Sequence, residues 1–556
     1  MQKTAVAIAA LTLLSAAVWW NAASVGNQPA TDETNIAQGE QIIHHRPGSE
    51  KPGEPAVASA LTAGRLDLTV VDAATGEPAP CRVNVIGPDG NYYEPDDNPL
   101  ALWSLKRSGN REGKGPFRYY GWFFYSDGTC RVEVPPGKIT VEVWKGFEYT
   151  PVVREITVGQ GAATALTVKL QRGIDMTQTG WYSGDPHLRR NGDYDDARTL
   201  ELMAAEDIRF SQILCFNLNR NYVPQMGQQL TPQFNGMGDA SIRTQGIYTI
   251  GSGQEYRGSV FGHILHLGAS RIVDANGLKT NTDNWPPFGL VADEVHSLGG
   301  ISIHAHGGYE KEIYADFAQE ATDGVELLQF AVYRGIGLEG WYHILSAGYR
   351  FPAIGASDYP YCRALGDCRT YVKLDATQPT MADYNRGLAE GRSFFTTGPL
   401  VEFTVDGKRA GEPLELPKGA TIKVQATVTS LVADVQELQI IEGGTVRFRK
   451  TVNKDEQRKP IHWSLDIPIQ GSTWIAFRAI APGPDEREDV EAHTNPVFVS
   501  VANKPRIKSE SIRWLLAKLD ERIRLHESRE FAEKPKVLAY FATSRKRLLE
   551  RLELAE

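Results

Sequence analysis

The amino-acid sequence predicts a multidomain protein: an α/β central unit between two all-β units, followed by a helical hairpin. Three observations carry this. Apolar and polar residues alternate, the period of a half-buried strand, in residues 64–172 and again in 399–503. In 173–398, short strand-like runs alternate with stretches of helical spacing, which implies parallel strands with crossover helices. Residues 504–556 carry two apolar stripes at helical spacing. The chain's 556 residues are too many for one core and enough for three or four domains.

The first 24 residues read as a secretory signal. Lys3 supplies the charge, Ala5 to Trp20 the apolar stretch, and Ala22, Ala23 and Ser24 the small residues of a cleavage site. An uncleaved leader is the alternative and the only membrane attachment expected. Export leaves periplasm, cell surface and medium open. Residues 25–63 are rich in Pro, Gly, Ala and Glu without apolar periodicity, so a disordered linker is expected.

In 64–172, Leu66, Leu68 and Val70 alternate with polar residues, and so do Ile139, Val141 and Val143 after Pro135-Pro136-Gly137. Turn signals separate them, which fits a small β-sandwich. The stretch from Val71 to Val83 resembles the carboxypeptidase-regulatory-like or transthyretin-like sandwich. Cys81 and Cys130 fall in this unit and could pair. Cys362 and Cys368 flank a short loop that a bridge would pin, and Cys215 reads as a core residue.

In the central unit, Asp196 to Glu206 reads as a helix and Phe210 to Phe216 as a strand. Val291, Ala292, Val295 and Leu298 have helical spacing; Gly299-Gly300 stops that helix and Ile301-Ser302-Ile303 begins a buried strand. Val325 to Phe330 and Phe351 to Gly355 are further strands. In 399–503, Ile422, Val424, Ala426 and Val428 alternate, and Trp474 to Phe477 is a central strand. The hairpin stripes are Ile512, Leu515, Leu516, Leu519 and Ile523, then Leu538, Phe541, Leu548, Leu549 and Leu552. The hairpin is expected to pack on the central unit or on a partner.

Four segments of the central unit offer imidazoles or carboxylates at or after strand ends. They are Gly184-Asp185-Pro186-His187, Gly253-Gln254-Glu255 with Gly262-His263, His304-Ala305-His306-Gly307-Gly308, and Gly355-Ala356-Ser357-Asp358. Neutral imidazole and carboxylate are the donors a divalent transition metal takes, and the carboxyl ends of barrel strands are where chemistry collects. His263 and His266, three apart in a strand, face opposite sides, so at most one enters such a site. His304 shares a face with His306 and could be a lower, buried neighbour. Each donor also has a structural reading: His187 and His306 as hydrogen-bonded barrel residues, Glu255 as a solvated carboxylate, Asp358 as a turn cap.

The ordered series resembles the metal motifs of the PHP (polymerase and histidinol phosphatase) superfamily, with a closer likeness to its CehA/McbA-type metallohydrolases. Cys368-Arg369-Thr370-Tyr371-Val372, the run from Gly391 to Pro399 and Ala492 to Val497 extend the likeness over about 178–500. The resemblance implies a distorted (β/α)7 barrel, flanked here by two β-sandwich domains and the hairpin. It implies hydrolysis of an ester, amide, carbamate or phosphoester by a metal-activated water. By position, His187, Glu255 and Asp358 would serve one metal, and Glu255, His263 and His306 an adjoining one, with Glu255 bridging. Asp185 and Arg257, with Glu255, are the catalytic or substrate-orienting candidates. The metal could be zinc, manganese or iron.

The sequence departs from the family at three places. Arg189 and Pro360 stand where histidines are expected, and Ile208 follows Glu206-Asp207 where another is. Asp193, Asp195 or Asp196 could substitute only in part. The position built from Ile208 and Pro360 is therefore lost, and a guanidinium from Arg189 could occupy metal space. One metal site is expected more readily than two. These departures keep open an alternative, a degenerate barrel that binds a ligand, glycan or protein. The net charge of −9 gives no footprint for nucleic acid, although Arg545, Lys546 and Arg547 could form a local basic patch. A small-molecule substrate is expected; the sequence leaves the oligomeric state open.

Overall fold

The computed structural model describes residues 63–95, 123–189, 195–216, 236–258, 260–273, 284–329, 332–359, 364–481, 490–504 and 507–555. The expected leader and linker, Asp193, Pro360 and Cys362 with its bridge to Cys368 lie outside them. The protein is a mixed α/β structure with several sheets.

The N-terminal unit has a three-stranded and a five-stranded sheet. The alternation seen in the sequence places Leu66, Leu68 and Val70 against Val83, Val85, Val141 and Val143 in one core. Cys81 and Cys130 lie on strands of different sheets, and both are free thiols. The pairing that the sequence left open to them does not form.

The central unit comprises β1 (Trp181–Leu188), α1 (Asp196–Glu206), β2 (Phe210–Phe216), β3 (Tyr248–Gly258), β4 (Gly262–Leu267), α2 (Phe288–Ser297), β5 (Ile301–His304), β6 (Gly324–Gln329), α3 (Gly337–Ser346), β7 (Ala353–Ala356), β8 (Arg369–Lys373), α4 (Met381–Ala389) and β9 (Ser393–Thr396). Local chemistry sets several boundaries. The Asp195 carboxylate accepts from the Arg198 N–H to start α1, and Asp207 ends it in the left-handed region at φ 53°. A reciprocal Thr380–Asp383 capping box starts α4.

The sheet runs β8-β1-β2-β3-β4-β5-β6-β7 and closes into a barrel. Closure between β7 and β8 uses a side chain: the Gly355 N–H donates to Thr370 Oγ1 at 2.9 Å, and that hydroxyl donates to the Gly355 carbonyl at 2.7 Å. The strands are not uniformly parallel. β1, β2 and β3 are parallel, as are β5, β6 and β7, but β4 runs antiparallel to both neighbours. β8 runs antiparallel to β1, and the start of β4 lies beside the end of β3, at the same end of the sheet as the carboxyl ends of β1, β2, β5, β6 and β7.

The third unit is not a detached sandwich. β9 pairs with Val490–Thr494, joining Phe394 to Thr494 and Phe395 to His493, so its larger sheet continues the barrel sheet. A separate three-stranded sheet covers it over a core that includes Val424, Val428, Phe403 and Phe477. The hairpin helices α5 (Ser509–Glu527) and α6 (Lys534–Glu553) pack on the central unit. The second stripe differs from expectation. Val537, Phe541, Ser544 and Leu548 face inward, whereas Leu549 is 37% exposed, because helical spacing back from Leu548 selects Val537 and Ser544 rather than Leu538. Among the described residues no helix is long and apolar enough to cross a membrane.

Candidate metal centre

Five of the sequence-selected residues meet at that end of the sheet. His187 lies near the end of β1, Glu255 near the end of β3 and His263 at the start of β4; His306 follows β5 and Asp358 follows β7. His187 and Glu255 are wholly buried, and His306 and Asp358 nearly so. Ligand atoms of His187, Glu255 and His306 lie within 4.8 Å of one another, so these three buried residues could hold a metal ion.

The two oxygens of Glu255 face different neighbours. Oε1 lies 2.8 Å from His263 Nδ1 and 3.4 Å from His306 Nε2. Oε2 lies 3.6 Å from His187 Nε2, 2.7 Å from Arg189 Nη2 and 2.9 Å from Arg257 Nη2. Asp358 Oδ1 completes the second side, 3.2 Å from His187 Nε2 and 2.9 Å from Arg189 Nη2. His263 Nδ1 and Asp358 Oδ1 are buried and within ion-pair distance of these groups, yet neither has hydrogen-bond geometry. A buried ring nitrogen left in that condition suits a cation better than a proton, and Asp358 Oδ1 already meets a cation in the Arg189 guanidinium.

Two residues that the sequence did not single out hold the imidazoles. Glu326 Oε1 accepts from His187 Nδ1 at 2.8 Å, and its Oε2 accepts from the His306 backbone N–H at 2.8 Å. Gln329 Oε1 lies 2.8 Å from His306 Nδ1. With each Nδ1 held by an oxygen, each Nε2 is directed inward, as metal-ligating histidines are generally arranged. Glu326 sits in β6, Gly-Val-Glu-Leu-Leu-Gln, whose six residues are all buried. A carboxylate inside such a strand requires a buried partner, and that was the available signal.

The loop after β5 is bent unusually. His306, Gly307, Gly308, Tyr309 and Glu310 all have φ between 51° and 63°. A left-handed run of this length is costly for L-residues and persists only where its surroundings enforce it. Gly307 has no room for a side chain: a Cβ there would lie 1.9 Å from the Arg334 carbonyl oxygen. The turn carries His306 inward and sets the Tyr309 ring edge-on to His263 and tilted against His306, with ring centroids 5.1 and 4.9 Å away. Asp358 is also left-handed, at φ 55°.

Electrostatics follow the geometry. Burial alone would raise Glu255, but Arg189 and Arg257 hold its carboxyl well below the usual range. Burial opposes protonation of His187, yet Glu326 and Asp358 outweigh it and raise the imidazole to about 10. Burial keeps His263 neutral, well below an ordinary histidine. Asp185 is raised by burial to about 6, against hydrogen bonds from Ser357 and Gly366. A carboxylate-rich pocket that raises a histidine in this way attracts any cation, a proton or a metal.

Other candidates fall elsewhere. Asp185 does not face the cluster. Its oxygens accept from the Ser357 hydroxyl and N–H and from the Gly366 N–H, fixing the turn that carries Asp358. His266 is buried against Ser302, and His304 lies 3.1 Å from Asp316; neither is in the cluster. Ile208 is in an apolar cluster with Leu200 and Met203. Asp195 caps α1, and Asp196 lies 3.7 Å from Arg243, so neither substitutes as a ligand. Beside Glu255, the side chains of His263 and Arg257 are 20% and 19% exposed, and they mark the open side.

No protein-family model matches the chain, and no curated protein matches it. Among solved structures, it is similar in part to a lesion-specific endonuclease, PfuEndoQ from Pyrococcus furiosus. That likeness has 12% identity and a TM-score of 0.24 over 38% of this chain and 56% of the other. An engineered protein is similar at 14% identity and a TM-score of 0.13, over 36% and 48%. The chain spans about half the length of each.

Proposed function

We propose that the protein is an exported metal-dependent hydrolase whose central unit is a distorted PHP-like barrel of the CehA/McbA type. One observation carries the reading: His187 and His306 direct Nε2 at Glu255 while Glu326 and Gln329 hold the opposite ring nitrogens. Hydrogen-bonded barrel histidines would have no need of such convergence. Glu255, His306 and His263 would hold a divalent ion, with His187 and Asp358 on the far side of the bridging carboxylate. A bound zinc, manganese or iron ion would lower the proton affinity of water and polarise the bond under attack.

The remaining roles belong to the chain. Glu326 fixes the tautomer of His187 and the backbone of His306. Asp185 positions the Asp358 turn. Arg257, on the open side and 2.9 Å from Glu255, orients an ester, amide, carbamate or phosphoester substrate. The ion pair of Arg189 with Glu255 and Asp358 favours a second reading, a barrel that binds a ligand without turnover. Hydrolysis of generic phosphoester and carboxylester substrates by purified protein, abolished in Glu255→Ala, selects the enzyme. Metal binding without hydrolysis of any of these ester classes selects the binding module.

A further inference from the structure

The Arg189 guanidinium stands among three donors that point at it. Nη2 is 2.7 Å from Glu255 Oε2, 2.9 Å from Asp358 Oδ1 and 3.3 Å from His187 Nε2. Two carboxylate oxygens and one imidazole nitrogen around a single point form the donor set of a metal, and here a cationic nitrogen fills it. The residue is 6% exposed, so the charge is buried with its partners rather than resting on a surface. Arginine retains its charge at any pH the fold survives, so this cation is permanent.

The other oxygen of Glu255 faces imidazoles. Oε1 lies 2.8 Å from His263 Nδ1 and 3.4 Å from His306 Nε2. The two oxygens of one carboxylate therefore differ: Oε2 is neutralised by guanidinium groups of the chain itself, and Oε1 faces two imidazole rings.

We propose that Arg189 is a built-in replacement for one cation of a two-cation centre, which limits the protein to a single metal on the His263–His306 face of Glu255. This rests on the metal-dependent reading above and goes beyond it by assigning the second positive charge to a side chain. A guanidinium and a divalent ion cannot share the space between Glu255 Oε2, Asp358 and His187. With Arg189 in place, those donors are committed and their negative charge is already balanced.

The test is metal stoichiometry, measured by elemental analysis and by calorimetric titration with Mn²⁺ or Zn²⁺, on the full chain. The parent is expected to bind one ion per chain. Arg189→His, which replaces the cation with a neutral donor, and Arg189→Ala, which leaves the three donors open, are each expected to bind two. Arg189→Lys keeps a positive charge and is expected to stay at one. Thermal melts with and without metal show which variants fold, and either of the first two suffices. Two ions in the parent, or one ion in every folded variant, would overturn the proposal while leaving the metal-dependent reading in place. No ion in any of them would overturn both.

Discussion

Glu326→Gln tests the centre without changing its shape. Glu326 is wholly buried and receives two donors, the His187 Nδ1–H and the His306 backbone N–H, each at 2.8 Å. Glutamine has one oxygen and one NH2 for those two donors. If the oxygen takes the His306 N–H, the NH2 faces His187 Nδ1 and selects the other tautomer. That tautomer puts a proton on Nε2, facing the Arg189 guanidinium 3.3 Å away, and so disturbs the Glu255 carboxylate that both groups adjoin. If the oxygen takes His187, the buried His306 N–H loses its acceptor, which costs about 1–3 kcal/mol. Loss of an outer partner of this kind typically weakens metal affinity about 10–100-fold, or about 1.4–2.8 kcal/mol. Competitive titration against a chromogenic chelator measures it, with a thermal melt confirming the fold. A folded Glu326→Gln protein that binds metal within about threefold of the parent would refute the reasoning.

Further predictions concern ligand identity, the left-handed turn and acid stability. His306→Asn keeps a residue that tolerates φ 54° and removes the inward nitrogen; metal content should fall to background while the metal-free melting temperature stays close to the parent's. Gly307→Ala drives a Cβ to 1.9 Å from the Arg334 carbonyl and should cost about 2–4 kcal/mol, whereas Gly299→Ala, at φ 80° with nothing within 4 Å, should cost about 1 kcal/mol; chemical denaturation compares them. His493 donates Nδ1–H to the Thr494 carbonyl and accepts the Tyr342 hydroxyl on Nε2, and burial lowers it to about 3. Its folded value lies below its unfolded one. Its contribution is therefore complete above about pH 6.5 and is lost as pH falls towards 3, by several kcal/mol in order of magnitude. The ring's NMR signals should show the neutral tautomer at pH 5; titration near 6.5 would contradict this.

Much of the site was legible because its donors sit at the ends of apolar runs. Strand period and glycine stops located β5 and β7 closely enough to place His306 and Asp358 after strand ends. The helix from Asp196 to Glu206 was legible in the sequence with the bounds that the structure shows. What local pattern could not supply was pairing and direction. Nothing near Glu326 or Gln329 says which imidazoles they meet, since His187 lies 139 residues from Glu326. The path from His306 to Glu310 was not legible either, because Tyr309 and Glu310 do not normally adopt positive φ and are forced to by packing. The same holds for the join between β9 and Val490–Thr494: alternating runs predict two strands but not that they share one sheet. Arg189 was legible as a departure from a motif, but its position among Glu255, Asp358 and His187 depended on three-dimensional convergence.

The central claim is most directly tested by an anomalous-difference map from a crystal soaked in manganese or zinc. The account predicts one peak, bounded by Glu255 Oε1 and His306 Nε2, with the Arg189 guanidinium still between Glu255 Oε2 and Asp358. A map with no peak at Glu255, or with the ion in the guanidinium's place, would contradict it.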